Sequence, residues 1–344
     1  MDRAAAKAQE SAFTASSSDF VINLDKPLGI TSNDAVIAVK RALRLPKVGH
    51  AGTLDPSAGG VLLILCGRAT RLMPYLLALE KKYSVTVALG AATDTLDTEG
   101  VVTRRMPFSH VTADAVQQAL PGFTGAVWQT PPMYSALKIS GTPLYKLARK
   151  GIDVQRKPRG VQIYDLKLVR FDPPLVGLDV TCSSGTYVRT LAADLAETLG
   201  TCGHVCGLTR TAVGPFTVED AVRLEPAAAL GEKFITLDTA LGHLDETSLA
   251  ADELRMLLNG ITLNGITPNG ITLNGITPNG AAPNAAEPKK ETGTAESDPA
   301  VTPRFLRVKD REGALVCIAS AVGGDVKMVT PLSFFDKYLK QSFR

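Results

Sequence analysis

The chain has 344 residues, 45% of them hydrophobic and 21% charged, with a formal net charge of +3. That length can bury a sizeable core and predicts roughly two domains, while the near-neutral balance excludes a general polycation, so that binding a polyanion would need local clustering of charge. No apolar run approaches the ~18 residues of a membrane span, and five scattered cysteines (66, 182, 202, 206 and 317) fit the reduced thiols of a cytoplasmic protein better than a disulfide framework.

Residues 1–19 are rich in Ala and Ser, carry Asp2 and Glu10, and lack a secretory apolar core, so they read as a disordered tail. Phe20–Leu24 reads as a strand, closed by the turn Asp25-Lys26-Pro27-Leu28-Gly29. Thr31 or Ser32 can cap a helix over 33–43, with Ala35, Val36, Val39 and Leu43 on one face. Gly49–Gly60, G-H-A-G-T-L-D-P-S-A-G-G, then combines a His, a carboxylate, a proline and four glycines before the apolar run Val61–Cys66. Pro56 restricts Asp55 to an extended or turn geometry, and the apolar run suits a buried strand. The stretch is either a constrained loop presenting Asp55 for chemistry or an ordinary Asx-type turn before proline.

Arg68–Leu79 has the period of an amphipathic helix, and Tyr83–Leu89 alternates like a half-buried strand. Asp94–Gly100 (D-T-L-D-T-E-G) lacks the carboxylate spacing of a calcium loop and reads as a hairpin turn. A short helix over 113–120 ends at Pro121-Gly122, and the prolines of 129–138 suit an extended surface loop. Between 146 and 170, Lys146, Arg149, Lys150, Arg156, Lys157, Arg159, Lys167 and Arg170 face only Asp153 and Asp165. Such a run is either a solvated face or a track for a phosphate backbone. Val176–Cys182 reads as a strand, 186–199 as a helix with Val188, Leu191, Ala192, Leu195 and Leu199 in its stripe, and Gly207–Thr211 as the lead of another strand. Cys202-Gly203-His204-Val205-Cys206 offers three ligand types without a C-x-x-C pair, and its alternation favours a strand over a metal site. Mixed elements with hairpin-length connections predict an α+β domain with a mixed, largely antiparallel sheet.

Residues 259–278 are four copies of N-G-I-T-[L/P], followed by an Ala/Pro/Glu/Thr-rich segment. So few short units cannot bury a solenoid core, and Asn-Gly and Pro favour turns over a sheet, so 264–302 reads as a mobile insertion. A helix over 252–258 and short strands over 305–308, 314–319 and 326–329 complete the chain.

Gly49–Gly60 closely resembles the aspartate motif of the bacterial tRNA pseudouridine-55 synthases, the TruB family, departing from it at Ser57 and Gly59. The resemblance implies the pseudouridine synthase fold over 20–243, with an RNA-clamping insertion at about 129–160. For 244–344 it implies a small PUA-like RNA-binding β-barrel, interrupted by 264–302. It makes Asp55 the nucleophile, Tyr83 (in Lys81-Lys82-Tyr83-Ser84-Val85) the base-stacking acid/base, and Arg189 (in Cys182–Arg189) the ion-pair partner of the aspartate. Tyr187 and Leu208 match residues lining the base pocket, His50 the residue filling the space of a flipped base, and Lys26 a lysine near the site. The implied reaction isomerises a T-loop uridine of tRNA. It breaks N1–C1′ and joins C5 to C1′ with no redox change, so neither cofactor nor metal is implied. The expected partner is the tRNA T-arm, acted on by a cytoplasmic monomer with no guide RNA and no membrane.

Overall fold

The computed structural model describes residues 18–139, 141–225, 230, 233–263, 266–267, 270–271, 276–277, 304–322 and 325–332. The expected 1–19 tail lies outside them except for Ser18 and Asp19, and Asp19 meets the Arg68 guanidinium at 2.7 Å. The chain divides into two compact units, Met1–Ile235 and Thr236–Arg344.

The first unit begins with β1 (Phe20–Lys26), helix α1 (Ser32–Ala42), β2 (Val48–Ala51) and β3 (Ala58–Cys66). Helix α1 starts where the sequence requires: Thr31 and Asp34 form a reciprocal capping box, and Ala35, Val36 and Val39 turn inward. All nine residues of β3 are buried, which a run without alternation demands. Then follow a 3₁₀ turn (Gly67–Leu72), α2 (Met73–Ala78), β4 (Lys81–Leu89), the hairpin β5 (Ala91–Thr93) and β6 (Val102–Arg105), α3 (Ala113–Ala119) and β7 (Gly125–Gln129). The remainder is the small hairpin β8 (Lys138–Ile139) and β9 (Thr142–Pro143), α4 (Leu144–Ala148), β10 (Arg159–Asp172), β11 (Leu175–Cys182), α5 (Val188–Thr198), β12 (Gly203–Val213), β13 (Phe216–Thr217) and β14 (Val222–Arg223). The expected helix over 68–79 is thus broken. Pro74 lacks an N–H and its ring would strike the carbonyl one turn back, so the chain restarts with proline in a first helical turn.

Ten strands form one sheet in the order β14-β1-β3-β12-β4-β11-β10-β7, with β2 beside β3 and β13 beside β12. It is mixed: β1·β14 and β3·β12 are parallel and the other pairs antiparallel. β1 covers one edge of β3, while β12 (Leu208↔Ala58 to Arg210↔Gly60) and β2 (Ala51↔Leu63 to Val48↔Cys66) share the other edge end to end. The loop that carries Asp55 joins β2 to β3 where β12 gives way to β2.

Two apolar clusters flank this point. One packs α5 on β4, β11 and β12; the other packs α1 on β1 and β3. Tyr83 and Leu208, both partly buried, touch both clusters, which puts them at the seam.

In the second unit α6 (Leu237–Ala240) and β15 (Asp245–Ser248) precede α7 (Ala251–Leu258) and β16 (Thr262–Leu263). The repeats contribute β17 (Ile266–Thr267), β18 (Gly270–Ile271) and β19 (Ile276–Thr277), and the unit ends with β20 (Arg304–Lys309), β21 (Leu315–Val322) and β22 (Asp325–Pro331). The sheet order is β15-β20-β21-β22-β16-β19, and no pair closes it into a barrel among the described residues. Of the 264–302 segment, expected to form turns without a sheet, β17 pairs with β18 and β19 extends the sheet beside β16. The rest of that segment lies outside the described residues. Leu254, Leu257 and Leu258 pack on Leu263, Leu306, Val308 and Val316 to form this unit's core.

Candidate active site

Asp55 owes its position to the backbone around it. The Ser32 hydroxyl, at the start of α1, donates to the Leu54 carbonyl (2.9 Å) and accepts from the Leu54 amide (2.8 Å). The Pro56 carbonyl accepts from Gly29 N at 2.9 Å, and the Asp55 carbonyl from Ala58 N at 3.1 Å. The loop is pinned from both sides before its carboxylate meets any partner.

That partner is Arg189, on the first turn of α5, with Nη2 2.9 Å from Asp55 Oδ2. The guanidinium is only 6% exposed, against 36% for the Asp55 side chain, so the carboxylate faces an opening and the arginine backs it. Arg189 Nη1 donates to the Thr95 carbonyl (2.7 Å) and Asp97 Oδ2 (3.0 Å), and Nη2 also donates to the Tyr134 carbonyl (2.7 Å). Asp97 is held in turn by the Thr95 hydroxyl (2.6 Å) and the Glu99 amide (3.0 Å), both donating to Oδ1. One buried guanidinium therefore bridges two carboxylates. Removing a partner from such a group typically costs about 3–5 kcal/mol, so it is a fixed part of the site. Burial lifts the Asp55 carboxyl above its ordinary value; Arg189 opposes this and Asp97 adds to it.

A cavity of about 240 Å³ opens beside Asp55, lined by Asp55, Tyr83, Tyr187, Arg189 and Leu208 together with Lys81 and Arg210. Drug-sized pockets run from about 300 Å³ upward, so this space suits one ring. Burial pushes the Tyr83 phenol above its ordinary value, with Arg210 acting against it, and a protonated phenol faces the cavity. Tyr187 caps α5 and is bracketed by Gln129, whose Oε1 accepts from the Tyr187 amide at 3.0 Å. The 129–138 segment is therefore not the surface loop its prolines predict: Gln129, Pro131, Pro132 and Ser135 are buried, and its carbonyls and amide group wall the site.

Five of the seven residues singled out from sequence line the cavity; His50 and Lys26 do not. His50 sits on β2, partly buried, its Nδ1 without a partner among the described residues, and burial favours its neutral form. Lys26 is fully buried, donates to the carbonyls of Pro27 (2.9 Å) and Ile30 (2.8 Å), and is lowered to about 8 by burial. Its ammonium can support the loop and add charge near Asp55. Sequence reasoning missed Asp97, Arg210, Lys81 and Gln129. Arg210 did leave a signal: it shares strand parity with Leu208, so an arginine points where an apolar residue is expected.

Among the exposed residues of the basic run, Lys146, Arg149, Lys150, Lys157 and Arg159 have no ion-pair partner among the described residues, and Arg149 lies over the Tyr145 ring. Arg156, Lys167 and Arg170 pair with Asp153, Asp165 and Asp172.

Residues 40–188 match the TruB family pseudouridylate synthase N-terminal domain, and 189–253 the tRNA pseudouridylate synthase B C-terminal domain. The chain is 46% identical over 247 residues to a tRNA pseudouridine synthase B from Aromatoleum aromaticum, spanning 70% of this chain and 80% of that protein. It is 44% identical over 259 residues to one from Symbiobacterium thermophilum, spanning 74% and 86%. Among solved structures, the archaeal box H/ACA sRNP Nop10-Cbf5 complex aligns with a TM-score of 0.64 at 22% identity, covering 93% of this chain and 88% of that one. A Cbf5-Nop10-Gar1 complex aligns at 0.66 and 22%, covering 93% and 87%. At that identity these two speak for the fold alone, which is the pseudouridine synthase fold with its mixed α+β sheet. By the domains it matches and the relatives it spans, the chain belongs to the TruB family of pseudouridylate synthases.

Proposed function

We propose that this protein is a tRNA pseudouridine synthase that isomerises a T-loop uridine, position 55 of tRNA, with Asp55 as nucleophile. The observation that carries the reading is the partly exposed Asp55 carboxylate, backed by buried Arg189, in the lining of a one-ring cavity that it shares with Tyr83 and Leu208. Detaching uracil from C1′ develops positive charge on the sugar, which an oriented carboxylate stabilises or captures. The detached base stays between Tyr83 and Leu208, where it can turn and present C5. Tyr83 is within the cavity to exchange the proton that C5 loses, and N1 gains one from water, so the sum of the reaction is an isomerisation without a cofactor. A glycoside hydrolase reading fits less well, because that chemistry uses a second carboxylate beside the bond. Here Asp97 lies behind Arg189 and does not line the cavity.

A uridine within a folded RNA loop must leave its stack to enter, at a cost of a few kcal/mol. In this reading His50, on β2, fills the vacated space. The unpaired cations of the 129–160 region supply phosphate contacts to the T-arm. We read the second unit as a PUA-like RNA-binding domain, on the strength of its helix and short strands, with catalysis confined to 20–243. The protein acts as a cytoplasmic monomer without a guide RNA.

The test is pseudouridine formation on an unmodified T-arm hairpin, read by carbodiimide-stop primer extension, with wild type beside Asp55→Asn. One stop at the T-loop uridine with wild type and none with Asp55→Asn is the expected result. RNA binding without a stop for wild type would reject the unguided reading. A stop surviving in Asp55→Asn would reject the nucleophile.

A further inference from the structure

Arg210 is 1% exposed, yet it lines the cavity, and among the described residues it has no carboxylate within ion-pair distance. Its Nε donates to the Val61 carbonyl (2.7 Å) and its Nη2 to the Gly52 carbonyl (2.9 Å), joining β12 to β3 and to the entrance of the Asp55 loop. It is the cross-strand partner of Tyr83 across β12 and β4, and both side chains line the cavity. A buried cation held by neutral carbonyls keeps a positive charge beside the cavity that no carboxylate among the described residues offsets by an ion pair. Tyr83, directly opposite it across the two strands, is the cavity group that can take on negative charge by losing a proton.

We propose that Arg210 is the positioning residue for Tyr83: it fixes the phenol oxygen across the sheet and stabilises that oxygen while its proton is away. The inference rests on the synthase reading above. The groups facing the phenol are Arg210 from β12, Cys182 from β11 and Asp55 from its loop. Of these only Arg210 favours the phenolate; the other two and burial oppose it. Lys81, on the same strand, is directed to the carbonyls of Leu77 and Leu79. In one turnover Tyr83 gives its proton to water, takes the C5 proton of the rotated uracil and is again a phenol, while N1 receives a proton from water. No proton is consumed overall.

The experiment measures single-turnover pseudouridine formation on the T-arm hairpin for Arg210→Gln and Arg210→Lys, each in wild-type and Tyr83→Phe backgrounds, from pH 7 to 9.5. With Tyr83 present, Arg210→Gln lowers the rate by about 10²-fold at pH 7. The deficit narrows by about threefold or more toward pH 9.5, because hydroxide replaces what the guanidinium supplied. In Tyr83→Phe the same change costs less than about threefold, since the two residues act as one unit. Arg210→Lys, which keeps the charge, recovers part of the loss and carries the same comparison if the Gln variant melts early. An equal loss in both backgrounds, or a deficit constant with pH, overturns the proposal and makes Arg210 a strand fastener. Absence of product with wild type would instead reject the synthase reading, and this inference with it.

Discussion

Asp97 shows how much of the site depends on a residue that never faces the substrate. It holds Arg189 from behind at 3.0 Å while Asp55 engages the same guanidinium at 2.9 Å, so each carboxylate limits how far the arginine can move toward the other. Asp97→Asn keeps the size and part of the hydrogen bonding but removes that balance. Arg189 then shifts toward Asp55 and turns its carboxylate away from the line of attack. The expected result is a fall in kcat of about tenfold to a hundredfold with KM little changed, because misplacement costs turnover while the cavity lining is intact. Steady-state kinetics on the T-arm hairpin, with a circular-dichroism melt as control, checks this; a rise in KM with kcat preserved would contradict it. The residues of the cavity were legible in unequal degree. Asp55, Tyr83, Tyr187, Arg189 and Leu208 lie in stretches whose resemblance to family motifs could be read directly. Asp97 lay in D-T-L-D-T-E-G, which reads as a turn and is one: the hairpin hides that the same turn buries a carboxylate against an arginine 92 residues away. Long-range pairing of this kind has no local signature.

At the scale of elements, the junction of β3 and β12 is the place where one atom too many would tell. Gly60 has φ +94°, and a Cβ there would lie 2.3 Å from the Arg210 carbonyl oxygen, closer than any real contact. Gly60→Ala must therefore separate the two strands and unfasten Arg210 from Val61 as well as adopt a strained backbone. We expect a loss of stability of at least about 2–3 kcal/mol, read as a lowered urea midpoint, together with loss of activity. An unchanged midpoint would show that the strand pair tolerates displacement. The strands were readable because burial on one or two faces leaves a period of 2 or an unbroken apolar run, as in β4 and β3. The elements misread were those decided by a single proline or by distant partners. Pro74 split a helix whose apolar period continued through it. Pro131 and Pro132 looked like surface residues until the Gln129 and Arg189 hydrogen bonds drew their loop inward.

Across the whole molecule, buried titratable groups make the two units respond differently to alkaline pH. In the first unit Lys26 and Lys81 are both brought down from 10.5 to about 8 by burial. Between those values the unfolded chain holds two protons that the folded unit has released, so stability rises with pH from about 8, by up to about 2–3 kcal/mol per pH unit. Buried thiols act in the opposite sense. Cys66 and Cys182 are pushed up from 9.0 to about 12 and about 11, so above pH 9 the unfolded chain ionises where the folded unit does not, and stability is lost. Cys206 is raised as well, so above pH 9 two rising contributions meet three falling ones, and the first unit should gain stability from about pH 8 to 9 and no further. The second unit has Cys317, raised from 9.0 to about 12, and among its described residues no lysine lowered by burial, so it gains nothing and declines above pH 9. A brief alkylation pulse in increasing urea, mapped by mass spectrometry, reads each unit through its own buried cysteines. The urea midpoint for Cys66 and Cys182 is expected to rise between pH 7.5 and 9, while that for Cys317 is flat over this range and falls above pH 9. A flat Cys66 midpoint over that range would mean that Lys26 and Lys81 keep their charge in the folded protein, and that the carbonyls around them solvate an ammonium nearly as well as water does.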